Sequence, residues 1–118
     1  VLKDALSSLS ALKDYDFQIE EIHHNQKKDA PSGTALALQT ELESKIGRRA
    51  PAALSIRGGG VAGLHRVWAL GPEEWLCFEH MALSRRVFAR GAVRIVKWLA
   101  KQKPGFYTMR DFLRDANA

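Results

Sequence analysis

The hydrophobic positions of the chain follow two periods, and each change of period marks a change of secondary structure. Apolar residues at helical spacing predict a helix near 2–12, a second at 35–46 and a third that begins near residue 86. Apolar residues in short runs or in alternation with polar ones predict strands at 17–22, 53–57, 64–70 and 75–82. The pattern at 106–113, in the C-terminal tail, predicts only a brief extended segment and a single helical turn.

Glycine and proline mark where these elements end. Gly47 follows the second helix as a natural C-terminal stop, and the run at 58–60 breaks the second strand from the third. The segment at 71–74, Gly-Pro-Glu-Glu, predicts a turn that joins the last two strands as a hairpin. This order of elements predicts an α+β fold with a mainly antiparallel or mixed sheet of about four strands and helices on one face.

One face of that sheet has no obvious cover from the predicted helices. Successive side chains of a strand point to opposite faces, so large apolar groups would lie on the uncovered side. The candidates are Leu64, Trp68 and Leu70, or Trp75, Cys77 and Met81. An exposed apolar face of this kind is typical of an interface, which predicts a homo-oligomer.

Composition narrows the class of protein. The 118 residues are 46% hydrophobic and 26% charged, which is ordinary for a single globular domain. No apolar run approaches the length of a membrane span, so we expect no membrane partner. The chain does not begin with Met, and we expect it to start inside a longer protein. The single cysteine, Cys77, suits a reducing, cytoplasmic location and is predicted to be a buried, inert thiol.

The formal net charge of +5 arises locally. Residues 85–103 contain seven Lys or Arg side chains and no acidic residue, whereas residues 1–46 are close to balanced. A solvated helix face explains most such runs, and a contact with an acidic partner is the other interpretation. Charge of this sign also permits a non-enzymatic basic module that binds nucleic acid or an acidic protein.

Chemistry concentrates in the loop between the first strand and the second helix. The segment is His23-His24-Asn25-Gln26-Lys27-Lys28-Asp29-Ala30-Pro31-Ser32-Gly33-Thr34-Ala35. The free backbone N–H groups of a helix's first turn can hold an anion, and Gly33 allows close approach. The two imidazoles and the Lys27 ammonium could then donate and accept protons beside a carboxylate that is bound by the backbone N–H groups of 32–34.

Two alternative interpretations of these residues are weaker. A metal site at His23 and His24 is disfavoured, because neighbours on a strand point to opposite faces and a zinc site needs three or four converging ligands. His65 and His80 lie on other predicted elements and are expected to be structural.

The run from Arg57 to Gly60 is not followed by a helical pattern, so a turn between strands is favoured over a phosphate loop.

The His-His-x-x-Lys-x-Asp-Ala-Pro-Ser-Gly-Thr-Ala segment resembles the signature of the dihydrodipicolinate reductase (4-hydroxy-tetrahydrodipicolinate reductase) family of lysine and diaminopimelate biosynthesis. The resemblance continues at 55–57 and 63–65, at 84–92 and at 105–113, and it covers nearly the whole chain. It does not include the family's amino-terminal nucleotide-binding half. The resemblance therefore implies that 1–118 is a C-terminal catalytic and substrate-binding domain, with 85–118 expected to pack against the nucleotide-binding half.

The resemblance also implies a reaction and a set of roles. The family uses NADPH or NADH to reduce a cyclic imine dicarboxylate to tetrahydrodipicolinate, so we expect a small-molecule substrate rather than nucleic acid. Matched by position, His23 resembles the general acid/base and Lys27 the proton donor. His24, Ser32, Gly33 and Thr34 resemble contacts to the substrate carboxylate. No cofactor-binding and no metal-binding residue is assigned, and the family's tetrameric assembly agrees with the uncovered sheet face.

Overall fold

A computed structural model describes residues 2–116, which divide into two compact units, 2–83 and 84–116. The first unit contains helix α1 (Leu2–Ala5), a 3₁₀ helix (Leu6–Ala11), strand β1 (Asp16–His23), helix α2 (Gly33–Ile46) and strands β2 (Leu54–Arg57), β3 (Leu64–Leu70) and β4 (Trp75–Met81). The second unit contains helices α3 (Arg86–Leu99) and α4 (Met109–Ala116).

The sheet of the first unit is mixed, as the sequence predicts. Its four strands lie in the order β2-β1-β3-β4, with β2 parallel to β1 and both other pairs antiparallel. The register places Glu21 of β1 opposite Ser55 on one side and opposite His65 on the other. His23, the last residue of β1, lies opposite Arg57. Residues far apart in the chain therefore meet at one end of the sheet.

Helix α2 covers one face of the sheet and forms the core with it. Its residues Ala35, Leu38 and Leu42 are buried and recur at helical spacing, so they form one apolar stripe. They belong to a single cluster with buried residues of the 3₁₀ helix, β1, β3 and the segment before β2, namely Leu6, Leu9, Phe17, Ile19, Ala53, Val67 and Ala69. This layer fixes the position of the α2 N-terminus against the sheet.

We expect the core to be sensitive at Leu42, which is fully buried. Leu42→Ala should lower the free energy of unfolding by about 2–5 kcal/mol, because it removes buried methyl groups and leaves a cavity. Urea unfolding followed by circular dichroism measures the loss. Leu36→Ala is the matched control, since Leu36 lies on the same helix but is 51% exposed. Equal losses in the two variants would contradict this placement of the core.

Both ends of α2 are defined by caps. Ser32 is the N-cap residue, and its hydroxyl accepts a hydrogen bond of 3.2 Å from the Ala35 N–H. Gly47 is in the left-handed conformation with φ 71°, and its N–H donates to the Glu43 carbonyl. The predicted C-terminal stop at Gly47 is thus confirmed.

The first and last helical segments differ from the sequence prediction. The N-terminal segment is a short α-helix followed by 3₁₀ helix, and the hydroxyls of Ser8 and Ser10 donate to carbonyls three residues earlier. The C-terminal tail forms the eight-residue α4 rather than a single turn. Thr108 precedes this helix and Asp111 lies in its first turn, and the two exchange side-chain and backbone hydrogen bonds in the manner of a capping box.

The second face of the sheet carries both predicted apolar sets at once. Cross-strand partners share a face, and the register pairs Leu64 with Met81, Trp68 with Cys77 and Leu70 with Trp75. Cys77 is exposed on this face, so the prediction of a buried thiol is wrong. The apolar run around it is typical of burial, but the helices of this unit cover the opposite face. Partial desolvation nevertheless raises the pKa of the Cys77 thiol.

The second unit holds its two helices together through Trp98. The indole meets the rings of Tyr107 and Phe112 edge-on, and its N–H donates to Asp115 at 3.1 Å. Helix α3 leaves large apolar side chains exposed, among them Val87, Phe88, Val93, Val96 and Leu99. Within residues 2–116, no helix combines the length and the apolar character needed to cross a membrane.

Candidate active site

The candidate site lies where β1 leads through a loop into α2. The loop is anchored to the segment after β2, because the Gly58 N–H donates to the His23 carbonyl at 3.0 Å and the Asn25 N–H donates to the Gly59 carbonyl at 3.2 Å. Within the loop, the Lys27 N–H donates to the His24 carbonyl at 3.1 Å. A cis peptide bond joins Ala30 and Pro31 just before the helix. The loop is thus fixed to the end of β2 at the point where it leaves β1.

The carboxylate of Glu21 is the centre of the site, and it is fully buried. Its Oε1 accepts hydrogen bonds from Arg57 Nη2 at 2.7 Å and from the Ser32 N–H at 3.2 Å. Its Oε2 accepts from Arg57 Nη1 at 2.9 Å and is also hydrogen-bonded to His23 Nδ1. One carboxylate therefore connects the end of β1, the end of β2 and the start of α2.

These partners keep Glu21 ionised in spite of its burial. Burial by itself would raise the pKa of the carboxyl, but hydrogen bonds from Arg57, Ser55, His23 and the Ser32 backbone outweigh it and lower the pKa to about 2. Arg57 Nη2 also donates to the Asp29 carbonyl at 2.6 Å. The buried ion pair therefore holds the loop as well as the strands.

His65 lies beside His23 and is held by the helix cap. The two rings meet edge-on, with centroids 5.1 Å apart and an interplanar angle of 75°. His65 Nε2 is hydrogen-bonded at 3.2 Å to the Ser32 hydroxyl, which also accepts from the Ala35 N–H. Burial, and after it the neighbouring His23, lower the pKa of His65 to about 4, so this imidazole is neutral near pH 7.

Lys27 and His24 lie on the loop, nearer to solvent. The Lys27 ammonium is 2.8 Å from Asp29 Oδ1, and its side chain is 22% exposed. This pair, with Lys27 as the main cause, lowers the pKa of the Asp29 carboxyl. His24 is partly buried and follows the last residue of β1. A cation on a partly exposed loop can reach a ligand that enters from solvent.

The first turn of α2 offers an anion-binding position. Gly33 and Thr34 are exposed, and within residues 2–116 neither backbone N–H donates a hydrogen bond to another group of the chain. A Cβ added at Gly33 would meet no atom within 4 Å, so the approach to this turn is open. Free N–H groups at a helix N-terminus favour a carboxylate or phosphate.

The structure brings only some of the sequence-predicted site residues into contact with one another. It brings His23 and Ser32 onto one carboxylate, places Lys27 and His24 on the loop between them, and leaves Gly33 and Thr34 on the open helix turn. Sequence reasoning missed Glu21, Arg57 and the part played by His65. Glu21 precedes His23 by two residues on one strand, and that spacing could have identified it as a partner on the same face.

A metal ion is a poor fit to this cluster. Glu21, His23 and His65 each offer a ligand atom, and these atoms lie within 4.8 Å of one another. The two histidines of this group are His23 and His65, whereas the metal site considered from the sequence involved His23 and His24. Both Glu21 oxygens are already bound by the Arg57 guanidinium, so a cation would have to displace or approach a fixed positive charge.

Three glycines near the site have the spacing of a dinucleotide-binding turn, but the helix that normally follows such a turn is not there. Gly58, Gly60 and Gly63 read Gly-x-Gly-x-x-Gly directly after β2. The segment leads into β3, and no helix follows it whose N-terminus could receive a pyrophosphate. The dinucleotide-binding mechanism therefore does not apply to this segment.

The fold and the loop together define the class of domain: a mixed-sheet α+β domain that presents ionisable side chains beside an open helix N-terminus. Residues 1–113 match the family model described as "Dihydrodipicolinate reductase, C-terminus". The chain belongs to that family.

Curated relatives agree with the family assignment. The chain is 58% identical over 113 residues to a 4-hydroxy-tetrahydrodipicolinate reductase of Bdellovibrio bacteriovorus, a match that covers 96% of this chain and 49% of the relative. It is 45% identical over 116 residues to the enzyme of the same name from Methanosarcina acetivorans, covering 86% of this chain and 44% of the relative. The chain thus spans about half the length of the curated relatives it matches.

A solved structure shares the fold. It is described as a dipicolinate-bound dihydrodipicolinate reductase from Paenisporosarcina sp. TG-14. The TM-score is 0.66, and the match covers 78% of this chain and 42% of that chain at 22% identity. At this identity the likeness supports the α+β fold alone.

Proposed function

We propose that this chain is the substrate-binding and proton-transferring half of an NAD(P)H-dependent reductase. The substrate is 4-hydroxy-tetrahydrodipicolinate, and the product is tetrahydrodipicolinate, an intermediate of lysine and diaminopimelate biosynthesis. The proposal rests on family membership together with one structural observation. A buried His23 at the end of β1 and a partly exposed Lys27 on the following loop precede a helix start whose first N–H groups make no hydrogen bond within residues 2–116.

The helix start accounts for recognition of the substrate. A cyclic dicarboxylate carries negative charge, and the Gly33 and Thr34 N–H groups can receive one carboxylate. The Thr34 hydroxyl and the His24 imidazole add donors at the edge of that position. Ser32 contributes indirectly, because its N–H is bonded to Glu21 and its hydroxyl to Ala35 and His65.

The reaction requires a hydride and a proton. NADPH or NADH supplies the hydride, and no residue of this chain is assigned to hold it. Lys27 donates the proton that the reduced, enamine-like product requires, since its ammonium can leave Asp29 and turn to a ligand. His23 serves as general acid/base in the more enclosed part of the site. A cytoplasmic location belongs to this proposal.

Ligand binding gives a direct test. The full-length protein should bind pyridine-2,6-dicarboxylate and oxidise NADPH or NADH when the substrate is supplied. Binding of DNA with a steep dependence on salt, without binding of the dicarboxylate, would overturn the proposal and favour a basic nucleic-acid-binding module. Calorimetry of the two ligands side by side makes the comparison.

Thr34 should contribute to substrate binding more than to turnover. Thr34→Val removes a hydroxyl beside the carboxylate position, and a hydrogen bond to a charged group is worth about 1.5–3 kcal/mol. We therefore expect the dissociation constant for pyridine-2,6-dicarboxylate to rise by about 10- to 100-fold. Thr40→Val is the matched control, because Thr40 lies on the same helix and its hydroxyl donates to the Leu36 carbonyl at 3.0 Å. Unchanged affinity in Thr34→Val would remove this side chain from the site.

We also propose that the open sheet face forms a subunit interface in a homotetramer. Large apolar side chains on this face remain exposed, with Trp75 at 73%, Leu54 at 57% and Met81 at 49%. A charged group at their centre, formed by Glu20, Arg66 and Glu79, is already paired within the sheet. A face of this kind favours packing against a second sheet.

A charge placed on the open face should disrupt this assembly. Trp75→Glu buries a carboxylate in the proposed interface, so we expect light scattering after size exclusion to give a smaller mass than for the unmodified protein. Leu36→Glu introduces the same charge at an exposed position of α2, on the other side of the sheet, and should leave the mass unchanged. A tetramer in both variants would exclude this face as the interface.

We propose that the basic segment 85–103 contacts the nucleotide-binding half of the full-length protein. The exposed apolar side chains of α3 and its positive charges suit a contact with the nucleotide-binding half or with its bound phosphates.

A further inference from the structure

The proposed reaction assigns no role to Glu21, although the partners of its carboxylate are well defined. Its carboxylate is fully buried, and its two oxygens have different partners. Oε1 receives Arg57 Nη2 and the Ser32 N–H, whereas Oε2 receives Arg57 Nη1 and lies against His23 Nδ1. A carboxylate needed only to neutralise Arg57 would not have to share an oxygen with an imidazole.

The contact to His23 decides where that imidazole carries its proton. An ionised carboxylate can only accept hydrogen bonds, so His23 Nδ1 must carry a hydrogen and donate it to Oε2. In the neutral ring the other nitrogen, Nε2, then has a free lone pair. The strand holds this arrangement rigidly, because residues 21 and 23 are on the same face of β1.

Gly63 lies close to Nε2 of His23. A Cβ added at Gly63 would lie 3.2 Å from His23 Nε2. Gly63 also has a positive φ of 157°, at the edge of the region that favours glycine. A side chain at position 63 would therefore crowd Nε2, and glycine avoids that contact.

We propose that Glu21 is a positioning residue for His23, which it fixes with the proton on Nδ1 so that Nε2 is the nitrogen that exchanges protons during reduction. Arg57 and the Ser32 N–H hold Glu21 in place, so the N-cap that builds the substrate position also orients the imidazole. This inference rests on the proposed function of His23 and deepens it.

Glu21→Gln tests the inference because an amide has only one acceptor. Each oxygen position faces two donors, but the Oε1 partners, Arg57 Nη2 and the Ser32 N–H, cannot accept a hydrogen bond. At the Oε2 position the His23 imidazole can become an acceptor, and Arg57 Nη1 keeps its bond to the Ile56 carbonyl, so we expect the NH₂ group there. Nδ1 must then accept a hydrogen bond, and the imidazole proton moves to Nε2. In the full-length protein we expect kcat to fall by at least about 10²-fold with KM changed far less.

The tautomer itself is read by nitrogen NMR of isotopically labelled histidine in the same protein. The unmodified protein should show His23 protonated on Nδ1, and Glu21→Gln should show it protonated on Nε2. Glu21→Asp keeps a carboxylate and should recover a large part of the lost kcat and the Nδ1 proton. Glu43→Gln is the control, since Glu43 accepts hydrogen bonds from Gln39 and the Ala50 N–H away from the site.

Each outcome bears on the inference. An Nε2-protonated His23 in the unmodified protein overturns it, even where Glu21→Gln fails to fold. A folded Glu21→Gln with unchanged kcat also overturns it, as does equal loss in Glu21→Gln and Glu21→Asp with the tautomer retained. If the unmodified protein lacks reductase activity, the proposed function fails, whereas the NMR spectra still decide the orientation of His23.

Discussion

If the proposed reaction holds, Lys27→Ala in the full-length protein should lower turnover by about 10²–10⁴-fold and weaken substrate binding far less. The reason is that the proposed proton donor would act in the transition state, whereas the proposed carboxylate contacts at the helix start would act in both the bound and the reacting states. The Lys27 ammonium is 2.8 Å from Asp29, and its partly exposed side chain is free to exchange that partner for a ligand. Steady-state kinetics with varied substrate separate kcat from KM.

The neighbouring lysine provides the control for this experiment. Lys28 is exposed and adjoins Lys27 in the chain, so Lys28→Ala changes the charge of the loop equally and should leave both constants near their original values. A rise in KM alone for Lys27→Ala would make Lys27 a substrate clamp instead of a proton donor. An equal fall in kcat for both variants would indicate a general effect of loop charge.

Arg57→Ala should be among the most destabilising single changes in the first unit. Glu21 has no exposure to solvent and receives two of its hydrogen bonds from Arg57, so the variant leaves a buried carboxylate without its counter-charge. Breaking one partner of a buried ion pair typically costs about 3–5 kcal/mol. Urea unfolding of the variant and the unmodified protein measures the difference.

An exposed arginine in the same unit provides the comparison. Arg49 is 3.9 Å from Glu43 and its side chain is 93% exposed, so Arg49→Ala should change stability by less than about 1 kcal/mol. Similar losses for Arg49→Ala and Arg57→Ala would contradict the view that burial makes the Glu21 pair costly to break.

The same pair determines a dependence on pH. Burial opposes ionisation of Glu21, but its hydrogen bonds lower the folded-state pKa from 4.5 to about 2. The carboxylate therefore contributes its full stabilisation above about pH 4.5, and this contribution, about 3 kcal/mol, is lost as the pH falls toward 2. In Arg57→Ala we expect the acid transition to move to higher pH, and urea unfolding at several pH values follows it.

Local pattern was enough to predict most of the elements. The spacing of Ala35, Leu38 and Leu42 predicts α2, Gly47 predicts its end, and alternation predicts β3 with the bounds observed. These features depend on backbone propensity and on periodicity within a short window, which the sequence carries directly. The segment 22–35 likewise predicts a strand, a loop and a helix start with ionisable groups.

What the sequence could not supply is the choice of neighbours. Arg57 reaches Glu21 because β2 lies parallel to β1, and His65 reaches His23 because β3 lies on the other side of β1. Strand order and register depend on burial of a whole sheet face against α2, a property of the assembled layers rather than of any short segment. Cys77 shows the same limit, since its apolar neighbours predict burial while the helices cover the opposite face.

The sequence by itself thus determined which side chains are available at the loop and where the helix N-terminus begins. Only the tertiary structure decided that Glu21 would bind His23, Arg57 and the Ser32 N–H at once. The physical reason is that a buried carboxylate must find every donor it needs within a few ångströms, and those donors come from three elements that pairing of the strands brings to one end of the sheet.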